Sequence, residues 1–289
     1  MEEEGKEVAG DTDAGAEPSS AGAAQRCGFV AIIGAPNAGK STLVNQLVGA
    51  KVTIVSRKVQ TTRMVVRGIA ISGESQIVFV DTPGIFVPRR RLDRAMVNAA
   101  WGGASDADVV IVLVDALRGV DDDVDRILNR LGEIKASKIL VINKVDKLAD
   151  KERLLPVVEQ VSAAAAFEEV FLLSALTGDG VQVLLEALAK RMPEGPWHFP
   201  ADDISDLPMR LLAAEITREK IYNRLHQELP YAITVETTDW QSAKKNSVRI
   251  EQTIFVAQES QKKIVLGKGG QSIKAISTEA RSDLADILG

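Results

Sequence analysis

The chain has 289 residues, of which 45% are hydrophobic and 26% charged, a composition typical of soluble globular proteins. Its cysteine, Cys27, and its two histidines, His198 and His226, exclude an intrachain disulfide framework and argue against a cysteine- or histidine-rich metal site. The charges of residues 1–26 sum to −5, which is the net charge of the whole chain, so the remaining residues are neutral overall. The acidic balance therefore does not exclude a nucleic-acid partner. Because no apolar run is long enough to span a bilayer and the N-terminus is acidic, we expect a cytoplasmic protein.

The first 26 residues are rich in alanine, glycine, serine and glutamate. Such a segment buries too little apolar surface to offset the entropy that is lost on ordering. We therefore predict a disordered acidic tail over 1–26. A first folded domain over 27–195 follows it.

Short continuous apolar runs alternate with helix-like stretches along this first domain. Runs without polar alternation are typical of strands that are covered on both faces. They predict strands at 29–33, 77–80, 109–114, 139–142 and 170–173. The stretches between them predict helices at 41–47, 93–100, 121–131, 151–161 and 181–191. This alternation predicts a doubly wound α/β domain.

A glycine-rich loop directly follows the first predicted strand and directly precedes a helix. Its glycines allow backbone N–H groups to surround phosphates, and the helix N-terminus adds a positive dipole end. In such loops the lysine bridges the β- and γ-phosphates, and the serine hydroxyl ligates Mg²⁺. The nucleotide-binding residues predicted here are Gly34, Ala35, Pro36, Asn37, Ala38, Gly39, Lys40, Ser41 and Thr42.

A second motif follows the strand at 77–80 and consists of Asp81, Thr82, Pro83 and Gly84. An aspartate at the end of such a strand can hold Mg²⁺ through water, and the Gly84 N–H can contact a γ-phosphate. The tetrapeptide alone is more often a simple turn. Its position after a phosphate-binding loop favours the nucleotide interpretation.

Two further motifs predict the choice of base. The first follows the strand at 139–142, and its Asp146 carboxylate can accept hydrogen bonds from the N1–H and 2-amino groups of guanine. The second follows the strand at 170–173 and can donate a backbone N–H to guanine O6. The predicted residues are Asn143, Lys144, Val145 and Asp146, then Ser174, Ala175 and Leu176.

These motifs, in this order, resemble those of the Era family of translation-factor-class GTPases. The stretch at 56–63 resembles the family's first switch, and the resemblance implies that Thr62 completes the Mg²⁺ shell when GTP is bound. Thr61 is the neighbouring candidate. The resemblance thus implies GTP, GDP and Mg²⁺ as ligands, with Ser41, Thr62 and Asp81 (through water) at the metal.

The catalytic residue is not assigned. Ras-like GTPases place a water-orienting glutamine after the third motif, whereas this chain has Ile85, which cannot orient water. We therefore expect slow intrinsic hydrolysis, and we include Ile85 among the residues near the nucleotide. Lys40, Thr62 and Gly84 are the expected transition-state and switch contacts.

A different pattern follows a proline-rich break, which predicts a linker over 196–206 and a second domain over 207–289. An amphipathic helix, two alternating strands, a helix, a glycine turn and a last helix follow in that order. Such a glycine turn allows a nucleic-acid backbone to approach closely, and nearby lysines favour phosphates. The predicted RNA-binding residues are Lys262, Lys263, Gly267, Lys268, Gly269, Gly270 and Lys274.

This arrangement resembles the type II KH domain of the same family. A type II KH domain continues into a third strand, but this chain ends at Gly289, so we expect that strand to be missing. The family resemblance implies binding to the 3′ region of 16S ribosomal RNA and to the assembling 30S subunit. It also implies a peripherally membrane-associated fraction, and we expect a monomer.

Three alternatives remain open. The protein can be an RNA-binding assembly factor in which the nucleotide is mainly structural, which Ile85 favours. It can be a membrane-associated signalling GTPase, although the sequence contains no strongly basic amphipathic helix or lipidation motif. It can be an ATP-dependent kinase, against which Asp146 argues because its carboxylate does not match the adenine amino group.

Overall fold

The computed structural model describes residues 24–56, 58, 61–150, 152, 154–225, 232–243 and 247–288. The predicted tail therefore lies outside the described residues except at its end. There, Arg26 pairs with Ser75 and is the first residue of a strand, so the strand begins inside the predicted tail. Within the described ranges, no helix is both long and apolar enough to cross a membrane.

A six-stranded sheet forms the centre of the N-terminal half. In spatial order it runs β2-β3-β1-β4-β5-β6, with β2 antiparallel to β3 and every other neighbouring pair parallel. Its strands are β1 (Arg26–Gly34), β2 (Val66–Ser72), β3 (Ser75–Asp81), β4 (Val109–Asp115), β5 (Ser137–Asn143) and β6 (Glu169–Leu173). The apolar runs of the sequence thus became the parallel strands. Strands β3 and β4 are buried on both faces, whereas the edge strand β6 is exposed on one face.

Helices cover both faces of this sheet. They are α1 (Lys40–Val48), α2 (Arg91–Ser105), α3 (Asp122–Arg130), α4 (Leu154–Ala164) and α5 (Val181–Ala189). Helices α1 and α5 pack on one face around Ile32 and Phe79. Helices α2, α3 and α4 pack on the other face around Ile33 and Val112. The two cores confirm the doubly wound α/β prediction.

The sequence pattern did not predict strand β2. Arg67 and Gly68 interrupt its apolar residues, so it lacks the continuous run that marks the parallel strands. The predicted linker lies against this edge strand, where Ile69 N donates to Ile204 O at 2.9 Å. Buried Gln76 on β3 holds the same segment, since its Oε1 accepts from the backbone N–H groups of His198 and Phe199.

The C-terminal half is a smaller α+β unit. Its elements are α6 (Met209–Arg224), β7 (Ile233–Ala243), β8 (Ser247–Val256), α7 (Glu259–Leu266) and α8 (Gln271–Leu288). Strands β7 and β8 pair antiparallel, and α6 and α8 pack on them around Ile221 and Ile276. Within the described residues this sheet has two strands. The apolar residues at mostly four-residue spacing, Leu212, Ile216, Ile221, Leu225 and Leu229, predict a helix that extends to Leu229. Helix α6 instead ends at Arg224, and Leu229 lies outside the described residues.

Candidate functional site

A cleft of about 590 Å³ lies at the carboxyl ends of the parallel strands, where ligands bind in open α/β sheets. Residues from each predicted motif line it, namely Pro36, Asn37, Gly39, Lys40, Ser41, Thr42, Thr62, Gly84, Asn143, Lys144, Asp146, Ala175 and Leu176. Other lining residues are Ile54, Val55, Ser56, Lys58, Thr61, Lys147 and Asn223. Asn223 belongs to α6, so the C-terminal half contributes to this cleft.

The remaining predicted nucleotide residues lie beneath the cleft rather than along it. They are all buried, namely Gly34, Ala35, Ala38, Asp81, Thr82, Pro83, Ile85, Val145 and Ser174. Thr82 donates to Ile32 O at 2.7 Å and thereby fixes the turn after β3. The Ile85 side chain packs into the core on the α2 face and is 4% exposed. Ile85 therefore has a packing role and presents no polar group to the cleft.

Lys40 is the cation at the floor of the cleft. Its Nζ donates to Gly34 O at 3.1 Å and Ala35 O at 3.0 Å, which fixes the ammonium within the curve of the loop. Burial lowers the pKa of Lys40 to about 8, with Asp81 opposing that shift. The side chain is therefore mainly protonated at pH 7, so it can meet an anionic ligand as a cation.

Hydroxyl groups converge on the carboxylate of Asp81. Ser41 Oγ and Thr53 Oγ1 each donate to Asp81 Oδ2 at 2.8 Å, and the Ser41 and Thr62 hydroxyls are 2.9 Å apart. The other oxygen, Asp81 Oδ1, is buried and has no hydrogen-bond partner among the described residues. Burial raises the pKa of Asp81. Sequence reasoning missed Thr53, because no motif marks it.

This cluster fits a hard divalent cation, which prefers oxygen ligands. Asp81 Oδ1 is a buried acceptor without a partner in the described ranges, and the adjacent hydroxyls supply further oxygens. The described part of the chain contains no group of three or more histidine, cysteine, aspartate or glutamate side chains that could hold a metal alone. The side-chain oxygens gathered here are those of Asp81 and of the Ser41, Thr53 and Thr62 hydroxyls.

The structure separates the two candidate threonines. The Thr62 hydroxyl lies beside Ser41 and is 3.5 Å from Asp81 Oδ2. The Thr61 hydroxyl instead lies 2.6 Å from Ser56 Oγ and donates to Lys58 O. The geometry thus brings Thr62, and not Thr61, to the carboxylate. Arg57, Val59 and Gln60 of the same predicted stretch lie outside the described residues.

Asn143 ties three loops together beneath the cleft. Its Nδ2 donates to Ala38 O at 2.8 Å, and its Oδ1 accepts from the N–H groups of Lys144 and Ala175. The motif at 174–176 was predicted to donate one backbone N–H to guanine O6, and of its N–H groups that of Ala175 is engaged by Asn143. A Cβ at Gly39, whose φ is +103°, would lie 2.4 Å from Asn143 Nδ2. Only glycine permits this close approach in a left-handed conformation.

Asp146 lines the cleft. It is exposed, and its Oδ1 accepts from Ser174 Oγ at 2.6 Å, which orients the carboxylate. Lys144 Nζ forms an ion pair with Asp115 Oδ2 at 2.7 Å and also donates to Asn37 O. The residues predicted to read the base are thus held in place by side-chain contacts.

Replacing Asn143 with alanine is expected to destabilise the protein by about 2–4 kcal/mol, because it leaves buried donors and acceptors in three loops unpaired. Urea unfolding followed by circular dichroism measures this change. Asn129→Ala is the matched control, since the Asn129 amide bonds to exposed Asp125 on the same helix. A difference below about 1 kcal/mol between the two variants would contradict the role given to Asn143.

A second candidate site lies in the C-terminal half, where Lys268–Gly270 form a 3-10 turn between α7 and α8. The predicted lysines Lys262, Lys263, Lys268 and Lys274 are all exposed around it. A Cβ at Gly269 would meet no described atom within 4 Å, so the turn is open to an approaching backbone. The neighbouring apolar side chains of Ile264 and Leu266 are also exposed, at 47% and 41%.

The segment over 51–63, of which 51–56, 58 and 61–63 are described, joins the two halves. On one side it lines the cleft, and on the other it contacts α6 and the residues that follow it. Val55 N donates to Glu219 Oε1 at 2.8 Å, and Lys58 Nζ donates to Leu225 O. Ile54 packs in one apolar cluster with Leu212 and other residues of α6 and α8. No motif in the sequence predicted these contacts.

Two family models match the chain. A model described as 50S ribosome-binding GTPase matches residues 29–144, and a KH domain model matches residues 228–289. The first match includes the loop at 34–42 and the motif at 81–84. The second includes the glycine turn and its lysines. Each half described above therefore has a recognised family counterpart.

Whole-chain relatives agree with these matches. GTPase Era of Rhizobium meliloti is 60% identical over 96% of this chain and 87% of its own length. GTPase Era of Brucella melitensis is 57% identical over 91% of this chain and 84% of its own. A crystal structure of Era with MgGDPNP and nucleotides 1506–1542 of 16S ribosomal RNA matches at a TM-score of 0.86, with 40% identity over 92% of this chain and 90% of that one. An Aquifex aeolicus Era variant bound to GDP and AlF4⁻ matches with the same score, identity and coverage.

Proposed function

Because this chain belongs to the Era family of GTPases, we propose that it couples hydrolysis of GTP to the binding of ribosomal RNA by its KH half. The RNA is the 3′ region of 16S ribosomal RNA within the assembling 30S subunit. The family match establishes a GTPase domain with a KH domain.

In the cleft, Lys40 contacts the β- and γ-phosphates, and the N–H groups of the loop at 34–42 surround them. Ser41 and Thr62 hold Mg²⁺ directly, and Asp81 holds it through water. When bound, Mg²⁺ neutralises the negative charge on the phosphate oxygens. The buried Asp81 Oδ1, which has no partner among the described residues, and the converging hydroxyls support this assignment. Gly84 lines the cleft, where its N–H can donate a hydrogen bond to the γ-phosphate.

In the same cleft, Asp146 accepts hydrogen bonds from guanine and so excludes adenine. Ser174 orients its carboxylate, and Asn143 holds the surrounding loops together. The buried Ile85 leaves position 85 without a group that orients the attacking water. We therefore propose slow hydrolysis by the protein alone. Backbone groups, a cation or a bound partner would raise that rate.

In the KH half, the lysines around the glycine turn neutralise RNA phosphates, and the open turn lets the RNA backbone approach. Exposed Ile264 and Leu266 offer apolar surface to unstacked bases. The structural relative that carries nucleotides 1506–1542 of 16S ribosomal RNA supports this RNA as the ligand. Association with the complete 30S subunit is part of the same proposal.

The position of the segment over 51–63 supports the coupling. The segment lines the nucleotide cleft, and it contacts the KH half through Val55, which bonds to Glu219 of α6, and through Lys58, which bonds to Leu225 just after α6. A ligand that shifts this segment must therefore change its contacts with α6. This gives the nucleotide a direct physical route to the RNA-binding half.

The affinity for RNA is expected to depend on the nucleotide, with a difference of about 5-fold or more between a non-hydrolysable GTP analogue and GDP. Fluorescence anisotropy with an oligonucleotide from the 16S 3′ region measures it. Lys268→Ala should weaken binding and lower the slope of log affinity against log salt by about 1. Lys135→Ala, at an exposed lysine of the GTPase half, is the control.

Equal RNA affinity in both nucleotide states would contradict the coupling. It would favour the alternative in which the nucleotide is mainly structural. The membrane-associated fraction, the monomeric state and the cytoplasmic location stay predictions from the family resemblance and the composition. Sedimentation with anionic vesicles tests the first of these, and light scattering tests the second.

A further inference from the structure

Thr62 is held from both sides by contacts with the KH half. On its N-terminal side, the Thr61 carbonyl accepts a hydrogen bond from Arg218 Nη2 of α6 at 2.8 Å. On its C-terminal side, Arg63 Nη2 donates to the Tyr222 hydroxyl at 2.7 Å, and Arg63 Nη1 donates to Ile233 O at 3.0 Å. The residue between these two anchors is the one whose hydroxyl lies beside Ser41.

The anchors share one aromatic ring. The guanidinium carbon of Arg63 is 5.7 Å from the centroid of the Tyr222 ring, and that of Arg218 is 5.1 Å from it. Both distances are within the range of cation–π attraction. Tyr222 itself is fully buried, so the ring is a fixed platform rather than a mobile surface group.

Arg218 is also fixed on α6. Its guanidinium pairs with Glu215 one turn earlier, and its residue is 2% exposed. Its Nη1 is buried and has no hydrogen-bond partner in the described part of the chain. The same guanidinium also interacts with the Tyr222 side chain, so Arg218 is bound both to its own helix and to the shared ring.

We propose that Arg63, Arg218 and Tyr222 are positioning residues, which hold Thr62 beside Ser41 and Asp81 and thereby favour GTP over GDP. This rests on the proposed function, since it assumes that Thr62 serves the metal and the γ-phosphate. The KH half then supplies part of the geometry of the GTP-bound first switch. GDP, which lacks the γ-phosphate, gains little from a fixed Thr62.

The coupling between the anchors and the nucleotide is reciprocal. If the anchors raise the affinity for GTP, then GTP must strengthen the anchors by the same factor. The nucleotide would thus tighten the attachment of α6 to the 51–63 segment without any contact of its own with α6. The route runs through the backbone of Thr61, Thr62 and Arg63.

The test compares the affinities of the full chain for a non-hydrolysable GTP analogue and for GDP, both with Mg²⁺. Arg63→Gln and Arg218→Gln are expected to weaken binding of the GTP analogue about 5- to 20-fold and to change GDP binding less than about twofold. Arg63→Lys should recover part of the loss, because it restores a single charged donor.

Lys51→Gln is the matched control. Lys51 also joins the two halves, through ion pairs with Glu219 and Asp283 at 2.6 Å each, but it lies at the far end of the segment from Thr62. A variant that only loosens the two halves should therefore leave the ratio of GTP to GDP affinity unchanged. Similar ratios in Lys51→Gln and Arg63→Gln would overturn the proposal.

A milder variant covers the case in which Arg218→Gln fails to fold. Tyr222→Phe keeps the buried ring and removes only the hydroxyl that accepts from Arg63. It is expected to lower the affinity ratio about 2- to 5-fold, and the double variant with Arg63→Gln should add little to Arg63→Gln alone. Fully additive losses would contradict a shared anchor.

The outcomes separate this inference from the proposed function. If the unmodified chain fails to prefer guanine nucleotides, the proposed function fails and this inference fails with it. If the unmodified chain binds both guanine nucleotides and Arg63→Gln keeps the original affinity ratio, only the positioning role is overturned.

Discussion

Asp146→Asn is expected to weaken GTP binding about 100-fold or more and to shift the preference to xanthosine triphosphate. The carboxylate accepts two hydrogen bonds from guanine, and each bond to a charged group contributes about 1.5–3 kcal/mol. The Ser174 hydroxyl, which donates to Asp146 Oδ1, favours the amide oxygen at that position. The NH₂ group then replaces the second acceptor and can donate to the extra carbonyl of xanthine.

Competition of GTP, GDP, ATP and xanthosine triphosphate against a fluorescent guanine nucleotide measures this change. Asp150→Asn is the matched control, because Asp150 is an exposed carboxylate a few residues further along the same loop. If the unmodified chain binds ATP as well as GTP, or if Asp146→Asn keeps its guanine preference, the motif at 143–146 is only a loop. The base-reading role given to Asp146 would then be wrong.

Lys40→Met is expected to slow GTP hydrolysis by about 100- to 1000-fold, the usual loss when a group that stabilises transition-state charge is removed. Methionine is close to lysine in length and fills the buried space, so the loop should keep its packing. What it removes is the cation that the Gly34 and Ala35 carbonyls hold at the floor of the cleft. Phosphate release under single-turnover conditions measures the rate.

Lys147→Met is the control for this prediction. Lys147 lines the same cleft and is exposed, but no predicted phosphate contact involves it. The rate of GTP hydrolysis by the Lys147→Met variant should stay within a fewfold of the rate of the unmodified chain. If the Lys40→Met variant hydrolyses GTP within about tenfold of the rate of the unmodified chain and keeps its melting temperature, the catalytic role given to Lys40 is wrong.

The fold class, the family and the chemistry of the cleft can all be predicted from the amino-acid sequence. Parallel strands that are buried on both faces must be continuous apolar runs, so Val109–Asp115 and Ser137–Asn143 can be recognised from their composition. The motifs at 34–42, 81–84, 143–146 and 174–176 each follow such a strand. Because the carboxyl ends of parallel strands meet at one edge of the sheet, the order of the motifs along the chain already implies their convergence.

The roles of neighbouring residues, by contrast, depend on how the chain folds in three dimensions. Thr61 and Thr62 are the same residue type in adjacent positions, and only the course of the segment brings Thr62 to Asp81. Thr53 joins the same carboxylate from a loop without a motif. Strand β2 was not predicted from the sequence, because an edge strand does not need a continuous apolar run.

The contact between the two halves is the clearest example of a feature that only the three-dimensional fold determines. Arg63, Arg218 and Tyr222 belong to different parts of the chain, and each looks like an ordinary polar or aromatic residue of its own element. Their meeting depends on how α6 packs against the 51–63 segment, which involves the burial of Ile54 among α6 and α8. Local sequence encodes local geometry and motif chemistry. The pairing of distant surfaces follows from the packing of the whole chain, and it is there that the nucleotide cleft acquires its link to the KH half.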